Sequence, residues 1–237
     1  TLTAEELAVI VPIPESVLDD SSYDIWGELR PQIEEAFGVA IDAAILNGTN
    51  KPTSWPEAIV PAAIAAENKI EIGTNTDLAS DIIGLNGLMD LVESDGYRVN
   101  GFFADGTMEA RLRDLRDKNN QLLYMPSLTS SVPSTMIGRP IEYDNQGVFD
   151  ATKALMVAGD FTKAVYSLRQ DMTYKVLDQA IIQNTDGTIA YNLAQQDMVA
   201  LRCVMKLAVQ IANPITRKNA TSSTRYPFAV LQPKATT

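Results

Sequence analysis

The hydrophobic and polar positions of this chain fall into short blocks whose period changes along the sequence. Leu7–Pro12 is apolar and β-branched and predicts a strand, with Pro12 and Pro14 expected to end its pairing. Asp19, Asp20, Ser21 and Ser22 then offer helix caps and negative charge. Ile25, Leu29, Ile33, Phe37 or Ala36, Ala40 and Ala44 recur on one helical face. Pro31 interrupts that helix by removing a backbone donor, so a kink or a short preceding helical turn is expected. From Pro31 to Asn47 the pattern is continuous, about 25 Å at roughly 1.5 Å per residue, and Gly48 supplies the stop. Lys51–Pro61, with Pro52, Trp55, Pro56 and Pro61, reads as a loop.

Further along, Leu78, Ile82, Leu85, Met89 and Val92 predict one amphipathic helix behind Asn75, Thr76 and Asp77 as caps. Arg98–Asp105 predicts a short strand and Gly106–Lys118 a helix, with Met108, Leu112 and Leu115 inward. Glu109, Arg111, Arg113, Asp114, Arg116 and Asp117 cover its other sides. Ser127–Pro140 is loop-like. Met172–Ile182 alternates imperfectly as a strand before a Thr185-Asp186-Gly187 turn and Thr188–Tyr191. The stretch from Leu193 or Ala194 to Ala212 reads as a closing helix. Met198, Leu201, Met205 and Ala208 form its stripe, Val199, Val204, Leu207 and Ile211 widen it, and Asn213-Pro214 ends it. Tyr226–Gln232 adds a last strand.

Composition narrows the class. The chain has 237 residues, 46% of them hydrophobic and 21% charged, which suits a sizeable folded core in one or two domains. No apolar run approaches the roughly 20 residues of a membrane span. A formal net charge of −11 disfavours a dedicated nucleic-acid reader, because phosphate binding needs clustered Lys and Arg.

Candidate chemistry is sparse. The absence of histidine removes Ser-His-Asp and Cys-His relays and the histidine metal motifs. Cys203, the single cysteine, lies in an apolar run and reads as a small core residue. Phosphate-binding glycine loops are missing. Glu34 with Glu35, or Asp19 with Asp20, could be proposed as the two acids of a glycosidase, but neighbouring helical residues point apart. Asp160 follows Gly159 and reads as a turn-closing side chain, not a catalytic acid. Asn47-Gly48-Thr49 and Asn219-Ala220-Thr221 match a glycosylation pattern by chance.

The order of elements in Leu7–Gly48, followed by Thr49, Pro52 and Pro56, resembles the strand and spine helix of tailed-phage major capsid proteins of the Hong Kong 97-type fold. Asn100, Phe102, Phe103, Ala104, Asp105 and Leu112 resemble that family's axial strand and helix. Met136-Ile137-Gly138-Arg139-Pro140-Ile141 resembles its turn into a sheet strand. Leu155–Phe161, followed by Val165, Tyr166 and Arg169, is similar to its Gly-Asp-aromatic strand and the strand after it.

The resemblance implies an α+β subunit with a peripheral domain from residues 1–57 and 193–237 and an inserted axial domain from 58–192. It implies a phage head-shell protein, not an enzyme, that assembles with itself into pentamers and hexamers of an icosahedral virion capsid in the bacterial cytoplasm. It would enclose DNA without specific binding, need no cofactor and no membrane, and work with scaffold, portal and maturation protease. Glu109, Arg111, Arg113, Asp114 and Arg116 are the candidate intersubunit contacts, against the plainer reading of a solvated helix face. The family's N-terminal arm and extended loop have no counterpart before Leu7, so the resemblance assigns no crosslinking residue and suggests a truncated subunit. An encapsulin-type compartment is the nearest alternative, and the Ile45-Leu46-Asn47-Gly48-Thr49 junction with its downstream prolines favours the phage form. A carboxylate-dependent glycosidase is a distant second.

Overall fold

The computed structural model describes residues 2–20, 24–116, 121, 124 and 134–234. The chain divides into two compact units, each built from two segments: Thr1–Ala40 with Tyr166–Val209, and Ile41–Val165 with Gln210–Thr237. These divisions fall at 40/41, 165/166 and 209/210, not at the 57/58 and 192/193 boundaries expected from the sequence.

The first unit is a three-stranded sheet covered by a helix. Strand β1 (Glu5–Pro14) runs into a short helix α1 (Glu15–Asp20), and the long helix α2 (Ile25–Leu46) follows. The sheet order is β1, β10 (Met198–Ile211), β7 (Ala164–Leu177). Pairing of β1 with β10 is antiparallel and places Leu7, Val9 and Val11 opposite Met205, Cys203 and Leu201. Those side chains share one face, where Ile33 and Phe37 of α2 pack against Leu201 and Cys203, with Trp26, Met172 and Tyr174 around them. Ala40, assigned by spacing to the packed face of α2, is exposed instead. The opposite face carries Glu6, paired with Lys206 at 3.0 Å and Arg202 at 3.4 Å.

Two expectations change here. Pairing of β1 does not end at Pro12 but continues through Pro14, opposite Met198. β1 is an edge strand, and prolines two residues apart present both nitrogens to the same, outer edge, where no ladder donor is missed. The closing helix is a strand: only Leu193–Gln196 is helical (α7), ending at Asp197 in the left-handed region with φ +55°, and Met198–Ile211 is β10. β10 lies between two strands; its face toward α2 is apolar throughout (Leu201, Cys203, Met205, Leu207), and its other face mixes buried Ala200, Val204 and Ala208 with Arg202 and Lys206. Ala200, Leu201, Val204, Leu207, Ala208 and Ile211 therefore recur at helical spacing although they lie on a strand, and period alone cannot separate the two. The expected proximity to α2 holds, through Leu201 and Cys203. Strands β8 (Ile181–Gln183) and β9 (Ile189–Asn192) form a separate hairpin. Its turn is closed by Asp186, whose carboxylate accepts from the Thr188 N–H at 2.9 Å.

The second unit is a six-stranded mixed sheet with helices packed on it. The strands are β2 (Lys69–Glu71), β3 (Gly101–Asp105), β4 (Thr135–Met136), β5 (Arg139–Asp144), β6 (Met156–Gly159) and β11 (Phe228–Gln232), in the order β2-β11-β6-β3-β5-β4. The parallel pairs are β2 with β11 and β3 with β5. β11 was expected to return to the domain of the N-terminal strand; it instead lies between β2 and β6, with Phe228, Ala229, Val230 and Leu231 fully buried. Helices α3 (Ile59–Ala65), α4 (Leu78–Ile83), α5 (Leu88–Ser94) and α6 (Gly106–Arg113) complete the unit. The single helix expected from Leu78 to Val92 is two, because the chain turns at Gly84–Gly87. A Cβ on Gly84 would stand 2.6 Å from the Ser80 carbonyl oxygen, and one on Gly87 2.8 Å from the same atom. Asp77 caps α4 by accepting from Ser80 N–H at 2.7 Å, as its position suggests.

Gly48 ends α2 with φ +79°, and its N–H donates to the Ala44 carbonyl at 3.1 Å. A buried polar cluster holds the return segment. The Asp95 carboxylate, 4% exposed, accepts from Asn68 Nδ2 at 2.8 Å, Tyr226 N–H at 2.9 Å and Asn219 Nδ2 at 2.7 Å. Arg225, 2% exposed, donates to Asn213 Oδ1 at 3.0 Å, to the Asn213 carbonyl at 3.1 Å and to the Asn219 carbonyl at 2.9 Å.

Candidate assembly surface

Helix α6 presents the charged residues singled out by the sequence. Asp105 caps it, accepting from the Thr107 N–H at 2.9 Å, while Met108 and Leu112 are fully buried and fix its rotation. That rotation leaves Arg111, Arg113, Asp114 and Arg116 exposed and Glu109 half-buried. Neither Arg111 nor Arg113 is ion-paired among the described residues, and Glu109 does not bridge to Arg113 despite the four-residue spacing. Glu109 and Arg113 instead act in opposite senses on Tyr143. Burial, the hydrogen bond to Tyr124 and the Glu109 carboxylate all push that phenol well above its ordinary range, and Arg113 opposes them. Tyr124 and Tyr143 share a hydroxyl hydrogen bond of 2.9 Å. Asp117 and residues 127–133 of the loop expected over 127–140 lie outside the described residues, and Thr135–Pro140 forms β4, a turn and the start of β5 instead of loop.

Beside α6, β4 and β5 are joined by a two-residue turn, Ile137-Gly138, with φ +53° and +69°. This is the turn into a sheet strand read from Met136–Pro140. A cavity of about 300 Å³ opens here, lined by Ile82, Ile83, Leu112, Leu115, Met136 and Ile137 among others. Ile83 and Ile137 are half in solvent, and Leu85 is 81% exposed.

In the other unit, β7 and the β8–β9 hairpin expose Tyr166, Leu168, Val176, Ile181 and Ile189. Tyr174 sits under Arg30, whose guanidinium carbon is 5.3 Å from the ring centroid, and donates to Glu34 at 3.0 Å. Burial and that carboxylate push the phenol up to about 12.

The residues considered for chemistry occupy structural roles. Asp160 accepts from Asn100 Nδ2 at 2.9 Å and from Thr162 N–H at 3.2 Å, closing a turn as its place after Gly159 suggests. Glu34 accepts from Tyr174, so it is not aimed at a neighbouring acid. Cys203 is fully buried in the core, where burial pushes its thiol up. Asn219 is turned inward onto Asp95, with its own Oδ1 accepting from Thr221 N–H at 3.0 Å. Among the described residues, no three of Cys, Asp and Glu gather as a metal site, and no helix is long and apolar enough to cross a membrane.

A long helix laid on a three-stranded sheet, with a mixed-sheet unit whose two segments alternate with it along the chain, is the Hong Kong 97-type architecture of structural shell subunits. A solved structure from Microbacterium phage Oxtober96 matches with a TM-score of 0.83 and 38% identity, over 98% of this chain and 73% of that one. One from Mycobacterium phage Cain matches with a TM-score of 0.82 and 30% identity, over 100% of this chain and 74% of that one. The major capsid protein of Staphylococcus phage 80alpha is 30% identical over 217 residues, 90% of this chain, and this chain spans 62% of that protein's length. The phage capsid family model matches residues 1–216. The chain belongs to the phage capsid family.

Proposed function

We propose that this chain is the shell-building part of a phage major capsid protein, assembling with copies of itself into the pentamers and hexamers of an icosahedral head that encloses DNA. The observation that carries this reading is the family match over residues 1–216 together with a matching fold over 98% of the chain. The unit of Thr1–Ala40 and Tyr166–Val209 is the peripheral domain with α2 as its spine, and the unit of Ile41–Val165 and Gln210–Thr237 is the axial domain. The protein works by presenting surfaces and not by catalysis. Its net charge of −11 disfavours adhesion of the enclosed genome to the wall. Assembly takes place in the bacterial cytoplasm with scaffold, portal and protease as helpers, and the product is the virion capsid. No comparison favours an encapsulin or a glycosidase.

Expression of the complete gene in a bacterial host, followed by negative-stain electron microscopy, tests the reading. Closed particles of uniform diameter are expected. A product that stays monomeric at high concentration contradicts it.

A further inference from the structure

Ile137 occupies a position that local energetics assign to another residue. The first central residue of a two-residue turn with both φ angles positive is best filled by Asn or Asp, and a β-branched side chain there is strained. Ile137 nevertheless sits at φ +53° and is 55% exposed, so the strain is not repaid by burial within the subunit. It lines the same cavity as Ile83, and Leu85, two residues further on, is 81% exposed between Gly84 and Gly87. Together these side chains expose roughly 300 Å² of apolar surface, the size of a functional patch on a small protein.

The rims of this patch differ in sign. On the α4–α5 side stand Asp77, which is exposed, and Asp90 and Glu93, which are half-buried, Glu93 being paired with Arg139 at 3.8 Å. On the α6 side stand Arg111 and Arg113, exposed and without an ion pair among the described residues. A patch with one negative and one positive rim is complementary to itself head to tail, the arrangement that closes rings. Its area falls short of the ~800 Å² per partner that a lasting two-chain complex needs, which suits a contact repeated around a closed assembly.

We propose that Ile137, Ile83 and Leu85 form the apolar centre of a contact with a second copy of this chain, with Arg111 and Arg113 facing that copy's acidic α4–α5 rim. This rests on the shell reading above and names the surface it uses.

The test uses the complete capsid protein and three variants, with subunit melting and shell yield measured on each. Ile137→Asn keeps the turn and relieves its strain, so subunit Tm is expected to rise by about 2–4 °C while shell yield falls about tenfold or more. Leu85→Asn is expected to leave Tm unchanged and lower the yield, and R111E combined with R113E to do the same. Variants that assemble as the wild type does, or an Ile137→Asn protein that melts lower, would overturn the proposal. A wild-type protein that forms no shells would overturn the shell reading beneath it, and is told apart by needing no variant.

Discussion

Replacing Asp95 with alanine tests the polar cluster that holds the return of the chain into the six-stranded sheet. The carboxylate receives three hydrogen bonds in a site 4% exposed. Two of the donors keep other acceptors: Asn68 Nδ2 reaches the Tyr226 carbonyl at 3.1 Å, and Asn219 Nδ2 the Thr224 carbonyl at 3.2 Å. The Tyr226 N–H keeps none among the described contacts. One orphaned buried donor costs about 1–3 kcal/mol, and loss of charge-assisted bonds to the other two adds about 1–2 more. A destabilisation of about 3–4 kcal/mol is therefore expected, lowering Tm by about 10 °C in a chain of this size. Asp95→Asn retains the shape but turns an NH₂ group toward donors, so it should recover less than half. Thermal melts followed by circular dichroism on the three proteins read this directly. A loss below about 1 kcal/mol for Asp95→Ala would refute the reasoning, because it would mean that the cluster contributes no more than an exposed bond.

Three further outcomes are expected. Gly159→Ala should destabilise by about 1–3 kcal/mol in denaturant melts, since the added Cβ would overlap the Phe228 ring and stand 2.6 Å from the Pro227 carbonyl oxygen. Phe37→Ala should cost about 3–5 kcal/mol in the same assay by opening a cavity over Leu201 and Cys203, and Cys203 should then react with thiol reagents that leave the wild type untouched. Glu6 should titrate below the 4.5 of an unperturbed glutamate by carbon NMR, because Lys206 and Arg202 favour its charged form. Its folded pKa is depressed, so its contribution to stability is complete above pH 4.5 and is lost as pH falls through the lower folded value. A Lys206→Ala protein with an unchanged Glu6 titration would contradict that cause.

The elements legible in the sequence were those whose signal is local. The stop of α2 at Gly48 and the cap of α4 at Asp77 depend on a few adjacent residues, and both appear as expected. Asp160 closes its turn for the same reason. β10 reads as a helix because its partners are distant: β1 supplies one neighbour almost 200 residues earlier, as in the pairing of Val9 with Cys203, and Ala200, Val204 and Ala208 on the face opposite α2 break the alternation that marks a strand. The break between α4 and α5 lay in Gly84 and Gly87, whose role is close backbone approach, a demand that hydrophobic spacing cannot register. At the proposed assembly surface, the charged face of α6 was visible as a pattern. The apolar side chains proposed beside it were not, because Leu85 reads as part of an amphipathic helix stripe and the strain at Ile137 exists only in three dimensions. The Asp95–Arg225 cluster joins residues 95 and 213–226, and nothing in either segment alone announces the other.

Sedimentation velocity on the complete gene product bears most directly on the claim that this chain acts by packing against its own copies. A fast boundary from closed shells, collapsing to slow species when Leu85 and Ile137 are both changed to asparagine, is the predicted result. A single slow boundary for the wild-type protein at every concentration would contradict it.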